Sequence, residues 1–120
     1  MGGVALDSLE LARHIVEVIA DKKGEDVLLL DIQGISILAD FFVIGSTTSD
    51  RQAESIVNGI LEEVKQAFTI RPLHVEGNAA SGWILMDYGS VVVHLFTPEL
   101  RAYYNLEGLW QSARVVVRML

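Results

Sequence analysis

Two short apolar runs joined by a four-residue turn, GWILMDYGSVVVHLF over residues 82–96, constrain what this chain can fold into more than any other segment. The turn, Asp87-Tyr88-Gly89-Ser90, places a glycine where positive φ is needed and an aspartate that can bond its own backbone. The second run, Val91 to Phe96, is almost wholly apolar, which suits a strand inside a sheet covered on both faces. The pair offers almost no catalytic chemistry. It sets Trp83 and Tyr88 at the two ends of one strand, and that reads as a surface for a partner.

The rest of the chain supplies the layers such a sheet needs. Asp7-Ser8-Leu9-Glu10 fits a capping box, and Leu9, Ala12, Ile15, Val16 and Ile19 then make a helical stripe that Gly24 is placed to end. Val27 to Ile32 and Phe41 to Ile44 read as strands close enough to be antiparallel neighbours. Ser49-Asp50-Arg51-Gln52 opens a second helix, along which Ala53, Ile56, Val57, Ile60, Leu61, Val64 and Phe68 keep the period for more than four turns. Pro72 blocks its continuation. Leu73 to Val75 reads as a third strand and Gly77 to Gly82 as a polar loop. Thr97-Pro98-Glu99 starts a short helix, and Asn105 can cap one more turn through Leu106, Leu109 and Trp110.

The order α-β-β-α-β-β-β-α predicts an α/β (α+β) sandwich, a mixed sheet with helices packed on it and the second helix as a crossover. Length suits one domain over residues 1–111. A tail over 112–120 reads as either strand or disorder. A chain of 120 residues buries roughly 65% of its unfolded surface, enough for a core without staples.

Charge narrows the partner. The chain carries 9 Lys and Arg against 16 Asp and Glu, a net charge of −7. Nucleic-acid affinity comes mainly from cations on phosphates, so direct nucleic-acid binding is not expected. An acidic domain suits a basic protein, with long-range attraction raising the encounter rate, although solubility alone accounts for many of these charges. There is no cysteine, which excludes disulfides and thiolate metal sites. No apolar run has membrane-span length, and Met1 to Ala5 has no basic start for a signal peptide, so a cytoplasmic protein is expected.

Candidate chemistry is sparse. Ile44-Gly45-Ser46-Thr47-Thr48-Ser49-Asp50 runs from a strand through a Gly-Ser loop to a helix start, a geometry that can cradle phosphate. It looks like the glycine-serine loop of nucleotidyltransferases. Those enzymes need carboxylates two apart on a following strand to hold metal ions, and none stands here. His14, His74 and His94 show no metal spacing. A Ser46, His94 and Asp87 triad lacks a nucleophile elbow. No catalytic residue, metal or cofactor is therefore assigned. The aromatics Trp83, Tyr88, Tyr103, Tyr104 and Trp110 carry more signal, because Trp and Tyr anchor interfaces as readily as they close cores.

Four segments together, ADFFVIGSTTSDRQAESI, LHVEG, GWILMDYGSVVVHLF and PELRAYYNLEGLW, resemble the ribosomal silencing factor S (Iojap) family, in the family's order and over residues 7 to 111. The resemblance implies a nucleotidyltransferase-like fold without catalytic carboxylates, and a non-enzymatic factor. It implies binding to the large ribosomal subunit through large-subunit protein fourteen and steric exclusion of the small subunit. Residue by residue it assigns partner contacts to Trp83, Asp87, Tyr88, Tyr104 and Trp110. Ser90 stands where many members have Asp, and Gln52 where many have His. Two other readings are carried: a nucleotide-handling enzyme using Gly45 to Asp50, and a self-associating scaffold whose homodimer buries Trp83.

Overall fold

The computed structural model describes residues 7–120, and the segment Met1 to Ala5 weighed above lies outside them. Helix α1 spans Ser8–Asp21, and the Asp7 carboxylate accepts from the Leu9 and Glu10 amides at its start. Its stripe buries Leu11, Ala12, Ile15, Val16, Val18 and Ile19. The helix does not end on Gly24 in a left-handed conformation, as its placement suggested. Lys23 takes the positive φ, 69°, and Gly24 instead lies where any Cβ would collide with the Ile19 side chain.

Strand β1 (Glu25–Asp31) and strand β2 (Phe41–Ser46) are antiparallel neighbours, as expected. Helix α2 spans Asp50–Phe68, and Ser49 Oγ caps the Gln52 amide at 3.1 Å. Ala53, Ile56, Ile60 and Val64 bury its inner face, each contributing on the order of 1–3 kcal/mol when fully removed from water. Strand β3 is His74–Glu76, one residue later than the apolar pattern suggested. The Gly77 to Gly82 loop contains a short 3-10 turn, Ala79–Ser81, closed by reciprocal Asn78 and Ser81 bonds. Strands β4 (Trp83–Asp87) and β5 (Val91–Phe96) form the hairpin.

Thr97 and Pro98 open helix α3 (Pro98–Tyr104) as their types predict. Asn105 works differently from the expected side-chain cap. Its backbone adopts positive φ, 46°, and its amide closes α3 on Arg101 C=O at 2.9 Å. A single turn, α4 (Leu106–Leu109), follows. Residues 112–120, expected to trail beyond the domain, carry strand β6 (Arg114–Met119), which pairs antiparallel with β1.

The result is a six-stranded mixed sheet in the order β3-β4-β5-β2-β1-β6, with one parallel pair, β2 with β5. Helices α1 and α2 cover one face over Val27, Leu29, Phe41, Val43, Ile84, Met86, Val91, Val93 and Leu95. The other face carries Leu28, Leu30, Phe42, Ile44 and Phe96, with Leu100 of α3, Leu106 of α4 and Trp110 packed against them. Among the described residues no helix is long and apolar enough to cross a membrane.

Candidate partner-docking surface

Strand alternation decides which hairpin side chains can act together. Trp83, Leu85 and Asp87 point to the face shared with α3 and α4. Ile84, Met86 and Tyr88 point to the α1–α2 face, where they join the core. Trp83 and Tyr88 are five residues apart, so they cannot line one surface. Tyr88 is a core residue, 6% exposed. Among the described residues its hydroxyl has no hydrogen-bond partner, and burial pushes its pKa up to about 12. The expectation of a surface anchor at Tyr88 is corrected accordingly.

Trp83 is half-buried at the boundary between covered and open sheet. Its indole stacks on Phe96 at 5.1 Å and lies 4.7 Å from the Tyr104 ring. Its Nε1–H donates to His94 Nδ1 at 3.2 Å. That bond requires Nδ1 to be unprotonated, so the neutral imidazole carries its proton on Nε2. His94 is buried beside Phe42, with ring centroids 5.0 Å apart. Burial lowers its pKa to about 4. Trp110 meets the Phe42 face edge-on at 5.5 Å. Tyr103, well exposed, stands edge-on to Tyr104 at 5.1 Å.

Coverage of this face falls off toward β3. Phe42 and Phe96 are buried, Trp83, Leu85 and Asp87 are half-buried, and His74 and Glu76 are exposed. Asp87 Oδ1 accepts from the Gly89 amide at 2.7 Å, which shapes the turn as expected, with Gly89 at φ 88°. His74 lies across from Asp87 on β3, its ring nitrogens 3.9 Å from Asp87 Oδ2 and 3.8 Å from Glu76 Oε1. The outer margin is thus acidic with a histidine between two carboxylates. Trp83, Tyr104 and Trp110 share the aromatic part of the face, and Asp87 sits at its far end, roughly 13 Å along the strand from Trp83.

The Gly-Ser segment is strand at Gly45 and Ser46, not the loop that its composition suggested. Gly45 and Ser46 are the last residues of β2, and a Cβ on Gly45 would stand 3.3 Å from the Ile19 side chain of α1. Of the amides that follow, Thr47 donates to Phe96 C=O at 2.8 Å, Thr48 to Gln52 Oε1 at 2.8 Å and Gln52 to Ser49 Oγ at 3.1 Å. Ser46, His94 and Asp87 do not assemble either. Ser46 pairs with Phe96 at the far end of β5, and Asp87 pairs with Val92. Two residues now engaged on this face, His94 and Arg101, were not singled out as functional from sequence. An apolar run gives no sign of which strand neighbour a histidine will meet.

A family model described as ribosomal silencing factor during starvation matches residues 5–119. The chain belongs to the ribosomal silencing factor family. A ribosomal silencing factor from Halalkalibacterium halodurans is 41% identical over 92% of this chain and 94% of its own. A crystal structure of a Chromobacterium violaceum protein superposes with a TM-score of 0.82 at 30% identity, covering 88% of each chain. A mouse protein named for mitochondrial assembly of the ribosomal large subunit is 32% identical over 80% of this chain and 43% of its own length. Within this family match lie Trp83, Tyr104 and Trp110 on the aromatic face, and also β6, which the four resembling segments left out.

Proposed function

We propose that this silencing-factor chain is a non-enzymatic cytoplasmic protein that binds the large ribosomal subunit through its protein fourteen and sterically blocks the small subunit from joining. One observation carries the reading: Trp83, packed in one cluster with Phe96 and Tyr104, borders a sheet face that opens outward to Leu85 and to the acidic pair Asp87 and Glu76. A half-buried indole with a polar margin is the arrangement that makes interface hot spots. The net charge of −7 favours approach to a basic protein surface and disfavours RNA. Steric exclusion asks only for residence on the right surface, and this face offers contact area without a reactive group. Trp83, Asp87, Tyr104 and Trp110 are the proposed contacts, and Tyr88 supports them from the core. A homodimer burying Trp83 would compete with the ribosome.

Co-sedimentation with separated subunits tests this. The chain is expected to travel with large subunits only, and Trp83→Ala to lose about 2 kcal/mol or more of binding free energy. Full retention of Trp83→Ala on large subunits overturns the anchor. The nucleotide-enzyme reading has no structural observation in its favour. Tight magnesium-dependent nucleotide binding by calorimetry would restore it.

A further inference from the structure

The docking surface described above leaves one buried charge unexplained. Arg101, on α3, is 7% exposed. Its Nη1 donates to the backbone carbonyl of Asp26 and to Ser46 Oγ, the latter at 2.9 Å. Its Nε donates to Glu107 Oε1 at 3.3 Å, and its Nη2 lies 3.7 Å from Asp26 Oδ2. These partners sit near the start of β1, at the end of β2 and on α4. One guanidinium therefore ties both short helices to the neighbouring strands β1 and β2.

The sheet is shaped to receive it. Asp26 holds positive φ, 45°, where the register of β1 against β2 shifts between Glu25 and Leu28. Such bulges re-aim a residue, and a non-glycine residue keeps this conformation only where its surroundings over-determine it. Here both the carbonyl and the carboxylate of Asp26 turn toward Arg101, and the carboxylate also meets Arg118 Nε at 3.4 Å. Ser46, the hydroxyl that suggested a phosphate site, is occupied by the chain's own cation.

The consequence falls on Trp83. A helix as short as α3 does not hold its own orientation in water. Leu100 packs toward Gly82, where a Cβ would come within 2.7 Å of Leu100 Cδ1. Tyr104, four residues on, lies on the same side of α3 and reaches the indole. Leucine packing tolerates rotation, whereas a planar fork hydrogen-bonded through both Nε and Nη1 does not.

We infer that Arg101 is a positioning residue of the docking surface: its guanidinium sets the roll of α3 so that Tyr104 lies on Trp83 and holds the indole in its docking orientation. This rests on the docking role proposed for Trp83. Arg101→Lys keeps the charge and loses the fork. Ser46→Ala removes one hydrogen bond and leaves every charge in place. Three measurements apply to each variant: thermal unfolding by circular dichroism, affinity for purified large subunits, and the emission of Trp83 read in a Trp110→Phe background.

Arg101→Lys is expected to remain folded, to shift Trp83 emission to longer wavelength, and to bind roughly tenfold more weakly, within the coupling range of residues sharing a network. The double variant Arg101→Lys, Tyr104→Ala should bind no more weakly than Tyr104→Ala alone. Unchanged emission in folded Arg101→Lys overturns the inference, as does an affinity loss that only follows the unfolded fraction. If Arg101→Lys does not fold, Ser46→Ala decides: a smaller shift in the same direction supports positioning, and none overturns it. If the unmodified chain fails to bind large subunits, the docking reading falls, and the emission shift still decides the role of Arg101.

Discussion

The two faces of the sheet are built from different materials. Under α1 and α2 the filling is mainly aliphatic, with Ile15, Ile19, Ile56, Ile60, Val43 and Val93 buried by two long helices. On the opposite face a ring cluster joins the aliphatic Leu28, Leu30 and Ile44: Phe42, His94, Phe96, Trp83 and Trp110 meet at ring distances between 5.0 and 6.1 Å. Only α3 and the single turn α4 cover them. Long amphipathic helices can bury a whole face and close it to partners. Seven- and four-residue helices cannot, so the face they cover stays open at its β3–β4 margin. The difference separates the side that holds the fold from the side proposed to meet the ribosome.

The division can be broken from either side. Ile56→Ala, on the aliphatic side, is expected to lower stability by about 2–5 kcal/mol through lost transfer energy and a cavity. Urea denaturation reads that loss. Large-subunit affinity per folded molecule should stay the same, and a fall in it would mean that the two faces are coupled.

Acid acts on the aromatic side. His94, its pKa lowered to about 4 by burial, is neutral when folded and titrates near its ordinary 6.5 when unfolded. The unfolded chain therefore binds more protons between those values. The stabilisation is complete above pH 6.5 and is lost as pH falls toward 4, by up to about 3 kcal/mol. Protonation would also put a proton on Nδ1, where Trp83 donates, so Trp83 emission should change over the same range. His94→Leu should flatten that part of the stability profile. An unchanged slope in the variant would assign the acid sensitivity to other groups.

Gln52 gives the smallest effect and sharpens the boundary of the aliphatic frame. Its Nε2 donates to the Lys22 and Lys23 carbonyls at 3.3 and 2.8 Å while its Oε1 accepts from Thr48. It thereby clamps the end of α1 to the start of α2. Gln52→Ala is expected to cost about 1 kcal/mol, the scale of a net hydrogen-bond contribution, seen as a lower urea midpoint. No change would leave the two helices joined by their apolar contacts alone. The Gln52 side chain thus has a structural use.

Much of this frame was legible before any coordinates. The caps at Asp7, Ser49 and Thr97 and the stripe from Ala53 to Phe68 follow from local chemistry, and they stand where read. Tyr88 could have been placed correctly as well. Five residues from Trp83 is an odd step along a strand, so the two must face opposite ways. The strand β6 was harder to see, because Arg114 and Arg118 interrupt its apolar run. Their partners, Asp31 and Asp26, lie on β1, far away in sequence.

The sequence by itself determined the elements up to α4, their order, the hairpin turn and the family. Each is encoded within a few residues of itself, through periodicity, capping and glycine placement. Tertiary structure alone decided that Phe42 meets Trp110, that Ser46 is held by Arg101, and that residues 112–120 close one edge of the sheet. The last two outcomes depend on strand order and register between segments 55 and more residues apart, which no local pattern specifies.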